Sequence, residues 1–247
     1  MIFDFTHSYP RKKQEDLIWN DCSEIEGSRL YCDKEAEEKI RSMIEPYGVS
    51  GIHFIDSGDY HYVTKIMTDF IAEPFSLVLI DHHTDMQKSV LLDMLSCGNW
   101  ARKVLETNPF LNVLVLVGQE EKSLKDCNLF NRNKIITISY QDIKNGVSPQ
   151  KIHKLDREIP VYISVDKDVL DDRYAVTNWD QGEMSLYTLE NILKYLVLEY
   201  EVIGIDICGD DPERNEFPEF LNARRINAKS DDKLYGYLQK LFAIKKR

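Results

Sequence analysis

The chain has 247 residues, 43% hydrophobic and 30% charged, which supplies apolar material for a sizeable globular core. Its formal charge of −11 repels phosphate backbones, so nucleic acid is excluded as an expected partner. No window approaches about 18 uninterrupted apolar residues, so neither a membrane span nor a membrane partner is expected.

The elements can be read in chain order. Ile2–Phe5 is a short apolar run that reads as a strand. Asp33 is an N-cap for a helix in which Ala36, Ile40, Met43 and Ile44 repeat every three to four residues, and Pro46 ends it. Gly51–Ile55 reads as a strand, 61–72 as a helix, Leu77–Ile80 as a strand and 88–106 as a helix. Val113–Val117, Ile135–Ile138 and Val161–Val165 are further strands. Ser185 caps a helix whose stripe is Leu186, Leu189, Ile192, Leu193, Leu196 and Val197. Val202–Ile207 is the last strand, Gly209–Asn227 reads as a long polar loop, and 231–243 as a helix.

Several of these runs lack polar alternation, as strands buried on both faces do. Strands alternating with helices predict an α/β fold, a three-layer αβα arrangement on a mostly parallel sheet. With no linker or repeat, residues 1–247 read as a single domain. Cys22, Cys32, Cys97, Cys127 and Cys208 form no C-x-x-C pair, and the opening residues show no apolar stretch before a small-residue cleavage site. Reduced thiols and a cytoplasmic location are therefore expected. The surface leaves a homo-oligomer open.

Ligands of such sheets bind beyond the carboxyl ends of the strands, so the polar residues there carry the chemistry. Leu77–Ile80 runs into Asp81-His82-His83-Thr84-Asp85. Asp81, His83 and Asp85 stand at alternate positions, so an extended segment puts all three on one side. Two carboxylates and an imidazole suit a divalent cation such as Mn²⁺ or Zn²⁺. Val161–Val165 likewise runs into Asp166-Lys167-Asp168, where a carboxylate beside an apolar run needs compensation. These five ligands carry a charge of −4, enough for two dications. His61 follows Gly58 in Ser57-Gly58-Asp59-Tyr60-His61 and is a sixth candidate. His53 lies inside an apolar run and reads as a core histidine, and Trp179 reads as a packed core residue.

These segments resemble the arginase–agmatinase–formiminoglutamase (ureohydrolase) family, which shares its fold with histone deacetylases. The family signatures G-G-D-H, D-A-H-x-D and S-x-D-x-D-x-x-D are similar to Ser57–His61, Asp81–Asp85 and Ser164–Asp171. The resemblance implies a cluster of two Mn²⁺ ions per chain, with Zn²⁺ or another divalent cation as the substitute. His61, Asp81, Asp85 and Asp166 would hold one ion. Asp81, His83, Asp166 and Asp168 would hold the other, so that Asp81 and Asp166 bridge. It further implies a metal-bridging hydroxide that attacks a guanidino or amidino carbon of a small-molecule substrate, with Asp85 as the catalytic residue that orients it. Histidine partners behind the metal are required by such coordination, but the sequence does not identify them.

The chain departs from the family at two functional positions. Gly98-Asn99-Trp100-Ala101 has Ala101 where arginases carry a proton-shuttling histidine in G-N-x-H. Asp206-Ile207-Cys208-Gly209 has Gly209 where the E-V-N-P glutamate pairs with the guanidinium; Asp210 or Asp211 could substitute for it. Arginine itself is therefore not the expected substrate. Asn99, Asp180 and Glu183 are the candidates for substrate contact, the two acids for a cationic group. The alternatives are a deacetylase-like amidase with a single zinc, for which His82-His83 would be the acid–base pair, and a metal-binding relative without turnover.

Overall fold

All seven predicted strands appear in the computed structural model, which describes residues 1–9, 17–89, 93–127, 132–146, 155–211 and 219–246. The strands are β1 (Ile2–Asp4), β4 (Gly51–Phe54), β5 (Phe75–Ile80), β7 (Leu111–Val117), β8 (Ile135–Ile138), β9 (Val161–Asp166) and β10 (Val202–Cys208). With β2 (Trp19–Asp21) they form an eight-stranded sheet ordered β2-β1-β4-β10-β9-β5-β7-β8. Every pairing in it is parallel. Two further strands, β3 (Tyr31–Cys32) and β6 (Leu95–Ser96), form a separate antiparallel pair.

Alternation sorts the side chains into two cores. Phe75, Leu77 and Leu79 of β5 join Leu114 and Leu116 of β7 on one face, beneath α1 (Lys34–Ile44), α2 (Val63–Thr68) and α3 (Trp100–Thr107). Val78 and Ile80 join Val161, Ile163, Val165, Ile205 and Ile207 on the other, beneath α6 (Leu186–Glu199) and α7 (Glu219–Lys245). The result is the three-layer αβα arrangement. Two short helices, α4 (Glu121–Cys127) and α5 (Tyr140–Lys144), complete the described set. Among the described residues no helix is long and apolar enough to cross a membrane.

Three helix and loop boundaries depart from expectation. Within 88–106 only the part from Trp100 is helical; Leu95–Ser96 pairs with Tyr31–Cys32 instead, and 90–92 lie outside the described residues. The segment expected at 61–72 begins as a tight 3₁₀ turn, Gly58–Tyr60, and is α-helical only over Val63–Thr68. The expected loop Gly209–Asn227 is helical from Glu219 onward, and 212–218 lie outside the described residues.

The strand order places the site. After β4 the chain crosses through α2 to β5, while β9 and β10 fill the gap between them. This is the reversal point at which open parallel sheets bind ligands, beyond the carboxyl ends of the strands. The ends of β4, β5, β9 and β10 all meet there.

Candidate metal centre

Strand alternation carries Tyr162, Ser164 and Asp166 of β9 to the face under α1–α3, together with Asp206 and Cys208 of β10. Ser57 Oγ accepts Asp59 N–H at 3.1 Å and caps the turn that delivers His61. His61 is 1% exposed. Its Nε2 meets Ser164 Oγ at 2.8 Å, and that hydroxyl donates to Asp206 Oδ1 at 2.7 Å. A serine that donates to Asp206 accepts from His61, so Nδ1 is the nitrogen turned toward the cleft. It lies 3.1 Å from Asp85 Oδ2 and 3.4 Å from both Asp81 Oδ2 and Asp166 Oδ2.

Beyond β5, Asp81 Oδ1 accepts His83 N–H at 2.5 Å, while Oδ2 is buried without a hydrogen-bond partner. Asp85, at φ +50°, accepts the Trp100 indole N–H at 2.5 Å. Asp168 Oδ1 accepts His82 N–H at 3.0 Å, and its Oδ2 lies 2.7 Å from His83 Nδ1. Asp166 Oδ1 accepts Asp168 N–H at 2.9 Å. Ligand atoms therefore gather in three overlapping groups, His61–Asp81–Asp85, Asp81–His83–Asp168 and His61–Asp166–Cys208, each within 4.8 Å. Two ligands at about 2.1 Å from one ion stand about 3.0–3.4 Å apart for angles between octahedral and tetrahedral. The His61 separations match that range. All six expected ligand residues are thus brought together; Asp81 belongs to the first two groups, and Asp166 joins through His61.

The electrostatics describe a site built for positive charge. Burial raises Asp81 well above the carboxylate range, and Asp168, Asp85 and Asp166 push it further. Burial and the charge of Asp168 lift Asp166 to about 7. Burial alone would lower the two histidines, but Asp85 holds His61 at about 9 and Asp168 holds His83 at about 9. Without a cation Asp81 and Asp166 hold their protons more tightly than free carboxyls, and the imidazoles substitute for the missing charge. An orphaned carboxylate oxygen among mutually repelling acids fits a divalent cation.

The cleft over these residues has a volume of about 340 Å³, and Leu30, Tyr31, Gln87, Cys97 and Trp179 form much of its wall. Trp179, expected in the core, is 39% exposed and borders the cleft. Its indole N–H donates to Asp59 Oδ1 at 3.0 Å, and its ring meets that of His83 edge-on at 6.1 Å. His53 is in the core as expected, with Nε2 3.0 Å from Val49 O.

The substrate-contact candidates stand elsewhere. Asn99 is buried and holds its own loop, accepting Ser96 N–H at 2.8 Å and donating to Met94 O at 2.9 Å. Asp180 is exposed, and Glu183 pairs with Lys144 at 3.1 Å on the surface. None of the three is among the residues bordering the cleft. Ala101, in the first turn of α3, is wholly buried in the core. Gly209 has φ +96°, and a side chain there would collide with Asp166 and with Lys167 N. Asp210 is taken by the buried Lys167, whose ammonium lies 2.9 Å from Asp210 Oδ1 and 2.6 Å from Asp231 Oδ1. His82 and His83 have rings 5.2 Å apart, but His82 does not border the cleft.

The residues not foreseen are Ser164 and Asp206 behind His61, Trp100 behind Asp85, Lys167 and Cys208. The first two could have been found: they occupy alternate strand positions with Asp166 and Cys208 and so share their face.

Residues 15–217 match the Arginase family. An uncharacterized protein of Thermotoga maritima is 32% identical over 230 residues, covering 92% of this chain and 85% of its own length. Solved structures share the fold at lower identity. Agmatine ureohydrolase of Thermoplasma volcanium superposes with a TM-score of 0.62 at 20% identity, over 84% of this chain and 68% of that one. Proclavaminate amidino hydrolase from Streptomyces clavuligerus gives 0.63 at 18%, over 85% and 69%. Formiminoglutamase of Trypanosoma cruzi, in a structure with Mn²⁺, gives 0.62 at 14%, over 83% and 70%. By its sequence match and its fold, this chain belongs to the arginase family.

Proposed function

We propose that this chain is a two-metal hydrolase of a linear C–N bond in a small guanidino-, amidino- or related substrate other than arginine. The observation that carries this reading is the convergence of His61, Asp81, His83, Asp85, Asp166 and Asp168 in overlapping groups, two of which share Asp81 while Asp166 joins through His61. In the reading, His61, Asp81, Asp85 and Asp166 hold one divalent cation, and Asp81, His83, Asp166 and Asp168 hold the other. Manganese is the first expectation, since it is the ion named with the Trypanosoma cruzi relative. When bound, two such ions would lower the pKa of a water and stabilise the charge that develops on the oxygen and nitrogen atoms of the tetrahedral intermediate.

The protein's own residues supply the rest. Ser164 and Asp206 fix the His61 tautomer, which leaves Nδ1 as the ligand. Trp100 holds one Asp85 oxygen by its indole N–H, so the carboxylate cannot swing away. Asp85 is then the group to accept a hydrogen bond from the attacking water and orient it. Trp179, pinned to Asp59, narrows the mouth beside His83 and limits water access. Substrate charge is limited by what is missing. With Gly209 unable to carry a side chain, Asp210 held by Lys167, and neither Asp210 nor Asp211 bordering the cleft, none of the three is placed to form the bidentate ion pair with a guanidinium. A neutral amide group needs no such partner, whereas an amidinium, like a guanidinium, would have to find its counter-charge elsewhere.

The second reading, a metal-binding relative without turnover, is favoured by Ala101, which sits in the core where a proton shuttle would stand. One experiment separates the two. The protein is loaded with Mn²⁺ and screened for urea, ammonia or amine release against guanidino, amidino and acyl-amine compounds. Release that disappears in Asp85→Asn supports the enzyme. Metal uptake with no release across the set supports the binding relative, and no metal uptake overturns both.

A further inference from the structure

Cys208 ends β10, and its register partner on β9 is Asp166. Register partners on adjacent strands leave the same face of the sheet, so thiol and carboxylate point the same way. Sγ lies 3.2 Å from Asp166 Oδ2, and the same oxygen lies 3.4 Å from His61 Nδ1. Ligand atoms of His61, Asp166 and Cys208 fall within 4.8 Å of one another. Gly209 makes this approach feasible: a Cβ there would reach Lys167 N at 2.7 Å and run into Asp166. The backbone after Cys208 is therefore pressed directly against the site.

A buried thiol that merely donates to a carboxylate would explain the 3.2 Å contact. It would not explain Asp81, which is 1% exposed and turns an unpartnered Oδ2 toward the same His61 nitrogen at 3.4 Å. The histidine nitrogen thus has carboxylate oxygens around it and a sulfur beside one of them, with one oxygen left unsatisfied.

We infer that Cys208 is an additional, sulfur ligand of the ion held by His61, Asp81, Asp85 and Asp166, and that this inner position selects a thiophilic dication of the Zn²⁺ or Co²⁺ class over Mn²⁺. Thiolate ligands favour such ions, whereas carboxylate and water suit Mn²⁺. The thiol releases its proton to solvent as the ion binds, and sulfur donates the electron pair. Among the described residues no cysteine joins the group Asp81–His83–Asp168, so the outer position keeps the harder ion. This inference rests on the two-ion reading and revises which metal fills the inner position.

The test uses Co²⁺ as the probe. Metal-free protein is titrated with Co²⁺ while bound metal is counted by elemental analysis and the spectrum is recorded. The expected result is a near-ultraviolet sulfur-to-cobalt charge-transfer band. The band is lost in Cys208→Ser, retained in Cys97→Ser, and displaced by Zn²⁺ but not by an equal excess of Mn²⁺. Co²⁺ uptake by the wild-type protein without that band overturns the sulfur ligand and leaves the two-ion reading standing. So does a band that survives in Cys208→Ser. No Co²⁺ uptake overturns both. The wild-type spectrum decides even if the serine variant does not fold.

Discussion

Asp166→Asn should make the metal-free protein more stable, the opposite of what removal of a buried, hydrogen-bonded carboxylate ordinarily does. Burial and the neighbouring Asp168 lift the Asp166 carboxyl from its usual 3.8 to about 7. Its folded value is raised, so the penalty is absent below about 3.8, grows as pH rises between about 3.8 and 7, and is complete above that. At about 1.4 kcal/mol for each tenfold, holding it ionised in the fold at about pH 8 costs about 4 kcal/mol. Asparagine removes that cost. It also replaces one of the oxygens that accept from Asp168 N–H and Cys208 Sγ–H, a loss of about 1 kcal/mol. The net gain is about 3 kcal/mol, or about 6–12 °C for a chain of this size. At about pH 5 the carboxyl is mostly protonated in the fold and the gain falls to about 1 kcal/mol or less. Added metal should close or reverse the gap. Each ion at about 100 times its dissociation constant stabilises the wild-type protein by about 2.7 kcal/mol and the variant by much less. Thermal unfolding of chelated and metal-loaded protein at the two pH values measures all of this. A chelated variant less stable than wild type at about pH 8 would refute the reasoning.

Three further outcomes follow from the same geometry. His61 and His83 are held at about 9, so in the metal-free protein their contribution is complete below about 6.5 and lost as pH rises through about 9. Metal needs them unprotonated, so the rise in melting temperature on adding Mn²⁺ should grow from about pH 6.5 to about 9; a flat or shrinking increment would contradict this. Ser164→Ala breaks the link from His61 to Asp206 and should weaken metal binding by about 10–100-fold in a calorimetric titration. Lys167→Met leaves Asp210 and Asp231 buried without their cation and should cost about 3–5 kcal/mol in urea unfolding, part of it recovered by adding Asp231→Asn.

The sequence carried the fold through its buried strands. Leu77–Ile80 and Val161–Val165 are buried on both faces, so even short runs mark the sheet centre and point to the candidate ligands at their ends. The edge strand Trp19–Asp21 was not legible, because three half-polar residues show neither alternation nor a run. The helix expected over 88–106 failed because Leu95–Ser96 finds a partner in Tyr31–Cys32, some 60 residues away in the chain, which no local pattern encodes. The expected loop before 227 hid the start of α7, whose first turns mix Arg224, Arg225 and two asparagines with their apolar residues. At the site, five of the six candidate residues were legible from their spacing at the ends of two buried strands and His61 from the glycine turn before it, and the structure brings all six together. Trp179 was not, since its place depends on Asp59, 120 positions away. Asn99, Asp180 and Glu183 were suggested by their position in the chain, and the fold turns them to a loop and to the surface.

The most direct measurement is anomalous scattering from crystals of the metal-loaded protein, collected on both sides of the metal absorption edge. Two peaks are expected beside Asp81 and Asp166, one within bonding distance of His61 Nδ1 and the other of His83 Nδ1. A single peak, or none between the ends of β5 and β9, would contradict the two-metal centre.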